Sequence, residues 1–213
     1  IRQHKSLDNV LAQVKDQKIF CLQETKEEVQ IPSFKCYNKL RVDSRSGGLC
    51  IGVVRELSHL VQVVDTSQYN DIMAVRLSAR ILGEEVILVN VYDSPENSSY
   101  KTRRRKQGHL KDTLEELSCF LSHLACGIPY VIVGDMNART GNLCEPPRTN
   151  NGTIDDLIDS SFLRRSCNMT PTRNSEDEII NERGKKLLDF TSEADLKILN
   201  GSTLGDVFGR YTC

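Results

Sequence analysis

The sequence predicts an α/β fold: a four-layer sandwich of two mainly antiparallel sheets with helices on the outer faces. Three observations carry this expectation. Short apolar, β-branched runs recur along the chain, among them "KIFCLQ", "GGLCIGVV" and "YVIVGD". Two further runs, "DIMAVRLSA" and "EEVILVNVY", face each other across Arg80 to Gly83 at hairpin spacing. The amphipathic stretches between these runs need a sheet face to cover. Strictly alternating β-α-β order is absent, so a doubly wound parallel sheet is the weaker alternative.

Taken in order, Ser6 to Gln17 reads as a helix, with Leu7, Val10, Leu11 and Val14 at helical spacing and Ser6 as cap. A short buried strand, "KIFCLQETK", follows, and "GGLCIGVV" forms another behind two glycines that permit a tight turn. After the hairpin, Leu110, Leu114, Leu117, Leu121 and Leu124 make one stripe of a long helix from about Arg103 to Ala125. Gly127 and Pro129 lead out of it into "YVIVGDMN". The run Tyr130-Val131-Ile132-Val133 lacks apolar/polar alternation and reads as a strand buried on both faces. From Gly141 to Glu182 the chain is polar, with loops and one small helix. "NERGKKLLDFTSEADLKILNG" reads as a helix and then a strand.

Length and composition suit one soluble domain over residues 1–213, with 27% charged and 38% hydrophobic residues. No apolar stretch is long enough to span a bilayer, and Ile1-Arg2-Gln3-His4-Lys5 does not open a signal peptide. The expectation is an intracellular protein, nuclear or cytoplasmic, with no membrane partner. A net charge of -1 means that any nucleic-acid surface is a local patch. None of the 8 cysteines has the C-x-x-C spacing of a zinc site, and Cys21 and Cys50 sit in apolar runs like small core residues. The sequons at Asn97, Asn151, Asn168 and Asn200 read as chance.

Three strands end in polar groups of one chemical character: "IFCLQE" at Glu24, "ILVNVY" at Tyr92, and "YVIVGDMN" at Asp135 and Asn137. Singly, each has a plainer role as a helix-start carboxylate, a strand aromatic or a turn former. Converging on one edge, they supply hard oxygens for a cation and neutral donors for an anion. Cutting a phosphodiester needs that equipment: a metal to neutralise charge, a carboxylate to orient water, and donors aimed at the transition state. Mg²⁺ takes few carboxylates and completes its shell with water and substrate, so one glutamate suffices.

"LQETK", "LVNVY", "VIVGDMNA" and "NERGKKLLDF", in this order, resemble the endonuclease/exonuclease/phosphatase superfamily over nearly the whole chain. They are most similar to its branch in LINE-type (non-LTR) retrotransposons and genes derived from them. The resemblance implies that Glu24 holds Mg²⁺ or Mn²⁺ and that Tyr92 approaches the scissile phosphate. It implies that Asp135 orients the water or leaving group, and that Asn137 hydrogen-bonds the phosphate. Asn181 matches a loop asparagine near the substrate, although its residue-level reading is a cap for the helix starting near Gly184. Thr212, in "GRYTC", matches a threonine of the branch that lies near the substrate. The implied partner is DNA, with a reverse transcriptase fused in the full-length protein.

The family also has an asparagine-bearing first strand and a terminal Ser-Asp-His motif, which these residues lack. The expectation is a fold incomplete at both termini, with unpaired sheet edges, and a 213-residue chain inactive by itself. His4, His59, His109 and His123 read as surface or packing residues. The one dense basic run, "KTRRRKQGHL", is placed at the start of the long helix, where the dipole disfavours positive charge, so Arg103, Arg104 and Arg105 are candidates to hold a DNA backbone. A solvated helix start or a nuclear import signal is the alternative. Two other functions share these residues: phosphatase or phosphodiesterase action on phosphoinositides, sphingolipids or RNA tails, and a non-catalytic binding relic.

Overall fold

The computed structural model describes residues 14, 16–42, 44, 46–108, 111–124, 127–143, 173–202 and 208–209. The chain separates into two compact units, residues 1–136 and 137–213.

The first unit is built on two sheets. One has the order β1-β3-β2, all antiparallel, from β1 (Ile19–Gln23), β2 (Phe34–Lys39) and β3 (Leu49–Val54). The other runs β4-β5-β6-β7, from β4 (Val61–Val64), β5 (Ile72–Leu77), β6 (Val86–Tyr92) and β7 (Tyr130–Asp135). Its pairings are antiparallel except for the parallel pair β6–β7. Leu49, Ile51 and Val53 of β3 pack against Met73, Val75 and Leu77 of β5 and Leu88 and Tyr92 of β6, which makes the layer between the sheets. Val14, Phe20, Ile31, Phe34 and Cys50 form a second cluster on the outer side of the first sheet. Alternation sends each strand's side chains to both faces. β6 is buried at every position because it has a layer on each side.

Among the described residues, three helices accompany the second sheet: α1 (Ala79–Leu82), α2 (Ser99–Lys106) and α3 (Thr113–Ser122). Helix α3 buries Leu114, Leu117 and Phe120, and the Phe120 ring meets Tyr69 edge-on at 5.8 Å. The inner face of the sheet is taken by β3, so α3 lies on its outer side. In the second unit, α4 (Glu182–Glu193) buries Leu188 and Phe190.

The architecture expected from the sequence is therefore present: two mainly antiparallel sheets, face to face, with helices outside. The hairpin of β5 and β6 is also present, with α1 in its connection. Four readings need correction. The long helix from Arg103 to Ala125 is two helices, because Gly108 turns left-handed after the C-cap Gln107, and Asp112 opens a new helix by accepting from Leu114 N at 2.8 Å. The basic run therefore occupies the last turn of α2, where Arg103, Arg104, Arg105 and Lys106 suit the helix dipole. Strand β7 is half-buried, because it pairs on one side only among the described residues. The segment after α4 is turns and loop with no strand among the described residues; Leu196 N bonds back to Thr191 O at 2.8 Å. Of the expected helix at Ser6 to Gln17, Val14 is helical and buried, whereas Asp16 lies in a turn and Gln17, whose N donates to Val14 O at 2.9 Å, is outside the helix. Strand β1 likewise pairs on one side only among the described residues.

Candidate active site

Strand β1 ends at Gln23, and Glu24 follows in left-handed backbone at φ 55° with an exposed side chain. The turn before β3 holds this exit: Lys26 N donates to Gly47 O at 2.8 Å and Thr25 N to Gly48 O at 3.3 Å. From the facing sheet, the Tyr92 hydroxyl at the end of β6 donates to Glu24 Oε1. Tyr92 is in register with Asp135 across the parallel pair β6–β7, and Asp93 N donates to Asp135 O at 2.8 Å. Residues in register on adjacent strands share a face. Glu24, Tyr92 and Asp135 thus stand at one edge of the first unit.

This alignment depends on two features inside the strands. Gly134 has φ 152°, and a Cβ there would lie 2.0 Å from Val91 O, so only glycine lets β7 approach β6 immediately before Asp135. Asn90, fully buried on β6, crosses to the other sheet: it donates to Leu22 O and Cys50 O, each at 3.1 Å, and accepts from Gln23 Nε2 at 2.6 Å. Its amide is satisfied on both ends, which burial demands.

Behind the edge lies a buried charged network. Lys101 Nζ is 2.8 Å from Asp93 Oδ1, which also accepts from Thr113 Oγ1 at 2.8 Å, so α2 and α3 are both tied to the end of β6. Arg41 pairs with Asp71 at 2.6 Å; burial nonetheless outweighs the arginine and raises the Asp71 carboxyl above its ordinary range. Burial, then the Glu24 carboxylate, pushes the Tyr92 phenol up, while Ser94 and Arg41 oppose the rise. Tyr92 is therefore a neutral donor at physiological pH.

Arg103 and Arg105 are exposed and Arg104 is half-buried on α2; Arg105 pairs with Glu96. Lys101, read as part of the same basic run, is instead buried in the Asp93 pair.

In the second unit Asn137 has φ 46° and its carbonyl accepts from Asn181 Nδ2 at 3.4 Å. Asn181 is the N-cap of α4: its Oδ1 accepts from Gly184 N at 2.7 Å and Arg139 N at 3.1 Å, the capping geometry its position suggests. Arg139 forms a two-pronged pair with Asp177 at 2.6 Å on each prong, which holds that carboxyl below its usual range. Thr212, His4 and His109 lie outside the described residues. His59 lies in the last turn of a short 3-10 helix and His123 is the C-cap of α3.

Sequence reasoning missed Asn90, Arg41, Asp93 and Lys101. A lone amide in an otherwise apolar strand was a legible signal for Asn90. The other three carry none, because their partners are distant in the chain.

Among the described residues no group of three or more His, Cys, Asp or Glu is placed to hold a metal. The donors at this edge are hard oxygens and include an exposed carboxylate, Glu24. That set fits Mg²⁺, which takes most of its shell from water and substrate. Among the described residues no helix is long and apolar enough to cross a membrane.

The chain matches no protein-family model and no curated protein. Solved structures similar to it include the endonuclease domain of TRAS1, a telomere-specific non-LTR retrotransposon, at 15% identity and a TM-score of 0.48, over 87% of this chain and 62% of that one. Truncated TDP2 of Caenorhabditis elegans is similar at 18% identity and a TM-score of 0.37, over 70% of this chain and 59% of that one. The chain thus spans less than two thirds of the length of either.

Proposed function

We propose that this chain hydrolyses phosphodiesters in DNA with a divalent cation, Mg²⁺ or Mn²⁺. The observation that carries the reading is the bond from the Tyr92 hydroxyl to the Glu24 carboxylate, made between two sheets, with Asp135 in register beside Tyr92. A carboxylate at a strand exit, a neutral phenol and a second carboxylate on one edge are the parts that phosphoryl chemistry requires.

Glu24 and Asp135 are the residues that would hold the cation, with Glu24 the principal ligand. When bound, the ion supplies charge neutralisation at the phosphate. Asp135 accepts a hydrogen bond from water and directs its oxygen at phosphorus. The new P–O bond forms as the bond to the leaving oxygen breaks, and the water's proton passes to a carboxylate. Tyr92, kept protonated by burial, donates to a phosphate oxygen as negative charge grows there. Asn137 takes its role as a second phosphate donor from the sequence resemblance alone. The preference for DNA rests on "GDMNA" and "NERGKKLLDF" and on the basic last turn of α2.

The test is nicking of supercoiled plasmid with Mg²⁺, with and without a chelator, run beside a phosphoinositide. The chain is assayed alone and with any residues that flank it in its gene. Chelator-sensitive nicking that falls on the order of a hundredfold in Asp135→Ala or Asn137→Ala is the expected result. Turnover of the lipid alone would move the chain to the phosphatase reading. Binding of DNA with no turnover in either form would make it a relic.

A further inference from the structure

Arg41 stands in the connection between β2 and β3, and its side chain is 1% exposed. Burying a guanidinium is costly unless its donors are met. Here they are: Nε donates to Asp71 Oδ1 at 2.7 Å, Nη2 to Ser94 Oγ at 2.7 Å, and Nη1 to Ser46 O at 3.3 Å. The same guanidinium lies 3.7 Å from the centre of the Tyr100 ring and 5.2 Å from that of Tyr92.

These contacts reach both members of the Tyr92–Glu24 pair. On one side, Ser46 precedes the glycines whose carbonyls hold Thr25 and Lys26, directly after Glu24. On the other, Ser94 lies two residues past Tyr92 and accepts from Arg41 Nη2 at 2.7 Å, while the guanidinium itself lies 5.2 Å from the centre of the Tyr92 ring. Arg41 has only donors, so Ser94 Oγ and Ser46 O are its acceptors on the two sides, and the Tyr92 hydroxyl donates to Glu24 Oε1.

We infer that Arg41 is a positioning residue for the active edge: through Ser94, the Tyr92 ring and the turn before β3, its guanidinium holds the chain at Tyr92 and the backbone that carries Glu24 so that the two face each other. The inference rests on the nuclease reading for its activity readout and on geometry for the rest. Lysine cannot replace arginine here, since a point charge cannot meet Asp71, Ser94 and Ser46 O at once.

The experiment has two arms, on the full chain. The first follows the Tyr92 ring in the metal-free protein by NMR with ring-labelled tyrosine, its signal assigned among the six tyrosines by its loss in Tyr92→Phe. The second measures kcat and KM for plasmid nicking. Ser94→Ala removes the acceptor that ties Arg41 to the chain just past Tyr92 but leaves the Arg41–Asp71 pair, so the fold is kept. Ser94→Ala and Arg41→Lys should each move or broaden the Tyr92 signal. In each, kcat should fall roughly tenfold, the value of one lost hydrogen bond, with KM within about twofold. An unmoved Tyr92 signal in both variants would overturn the inference, as would unchanged kcat in an active enzyme. A moved signal in a protein that never nicks would uphold Arg41 as the organiser of this pair and reject the nuclease reading alone.

Discussion

Asn90 is worth more to this molecule than a polar residue in an apolar strand suggests. Its three hydrogen bonds join β6 to both β1 and β3 of the facing sheet, within the buried layer between them. Asn90→Ala strands two carbonyls and the Gln23 amide, and should cost roughly 3 kcal/mol in urea unfolding with an unchanged slope. A loss below about 1 kcal/mol would mean that the sheets slide to re-pair these groups. Lys39 offers a pH-dependent counterpart. It donates to Thr66 Oγ1 at 2.9 Å and Ile72 O at 2.8 Å. Burial lowers its pKa from 10.5 to about 8, against the upward pull of Asp71, Asp65 and Glu116. A lysine with a folded pKa below its unfolded one weakens the fold at neutral pH, and that weakness is relieved as pH rises from about 8 to 10.5. Relative to Lys39→Met, the wild type should gain stability across that window. A flat difference would show that Lys39 keeps its proton in the folded state.

At the scale of elements, the approach of β7 to β6 decides where Asp135 stands. Gly134→Ala places a methyl 2.0 Å from Val91 O at a φ of 152°, so the strand must shift. The expected cost is at least ~2 kcal/mol, with nicking lost beyond what the stability change explains. A Gly134→Ala protein with wild-type melting and nicking would show that the pair β6–β7 has slack. Helix α2 carries the other element-level prediction. Replacing Arg103, Arg104 and Arg105 with glutamine should flatten the salt dependence of DNA binding by about one unit of slope for each arginine that meets a phosphate. An unchanged slope would remove this helix from the DNA surface. The helix itself should survive, since its N-cap is Ser98, which accepts from Lys101 N at 3.2 Å. The break before α3 was available in the sequence: Asp112 followed by Glu115 is a capping pattern, overridden by the leucine stripe that runs across it.

For the whole molecule, the division at Met136 matters most. The two hydrophobic clusters of described residues, the Asn90 crosslink and the Tyr92–Glu24 pair lie in residues 1–136. A fragment of residues 1–136 should therefore unfold in one cooperative transition and retain the Tyr92 ring signal of the full chain. A gradual melt would show that its core needs residues 137–213. The second unit carries its own ties: buried Arg173 donates to Gly141 O and Leu143 O, each at 2.9 Å, and to Thr140 Oγ1 at 2.8 Å.

By itself the sequence determined where β1, β3, β5, β6 and β7 run, that β5 and β6 form a hairpin, and that Glu24, Tyr92 and Asp135 stand at strand ends. Those are local properties: β-branched runs, turn residues and the polarity of a strand's last position act within a few residues. Tertiary structure alone decided that β7 pairs on one side among the described residues, that Lys101 is buried, and that Arg41 meets Asp71 and Ser94, 30 and 53 residues away. Periodicity says which face of a strand is apolar and nothing about which strand lies beside it. The cost of a buried guanidinium is likewise met by partners that the fold brings together and the local sequence does not name.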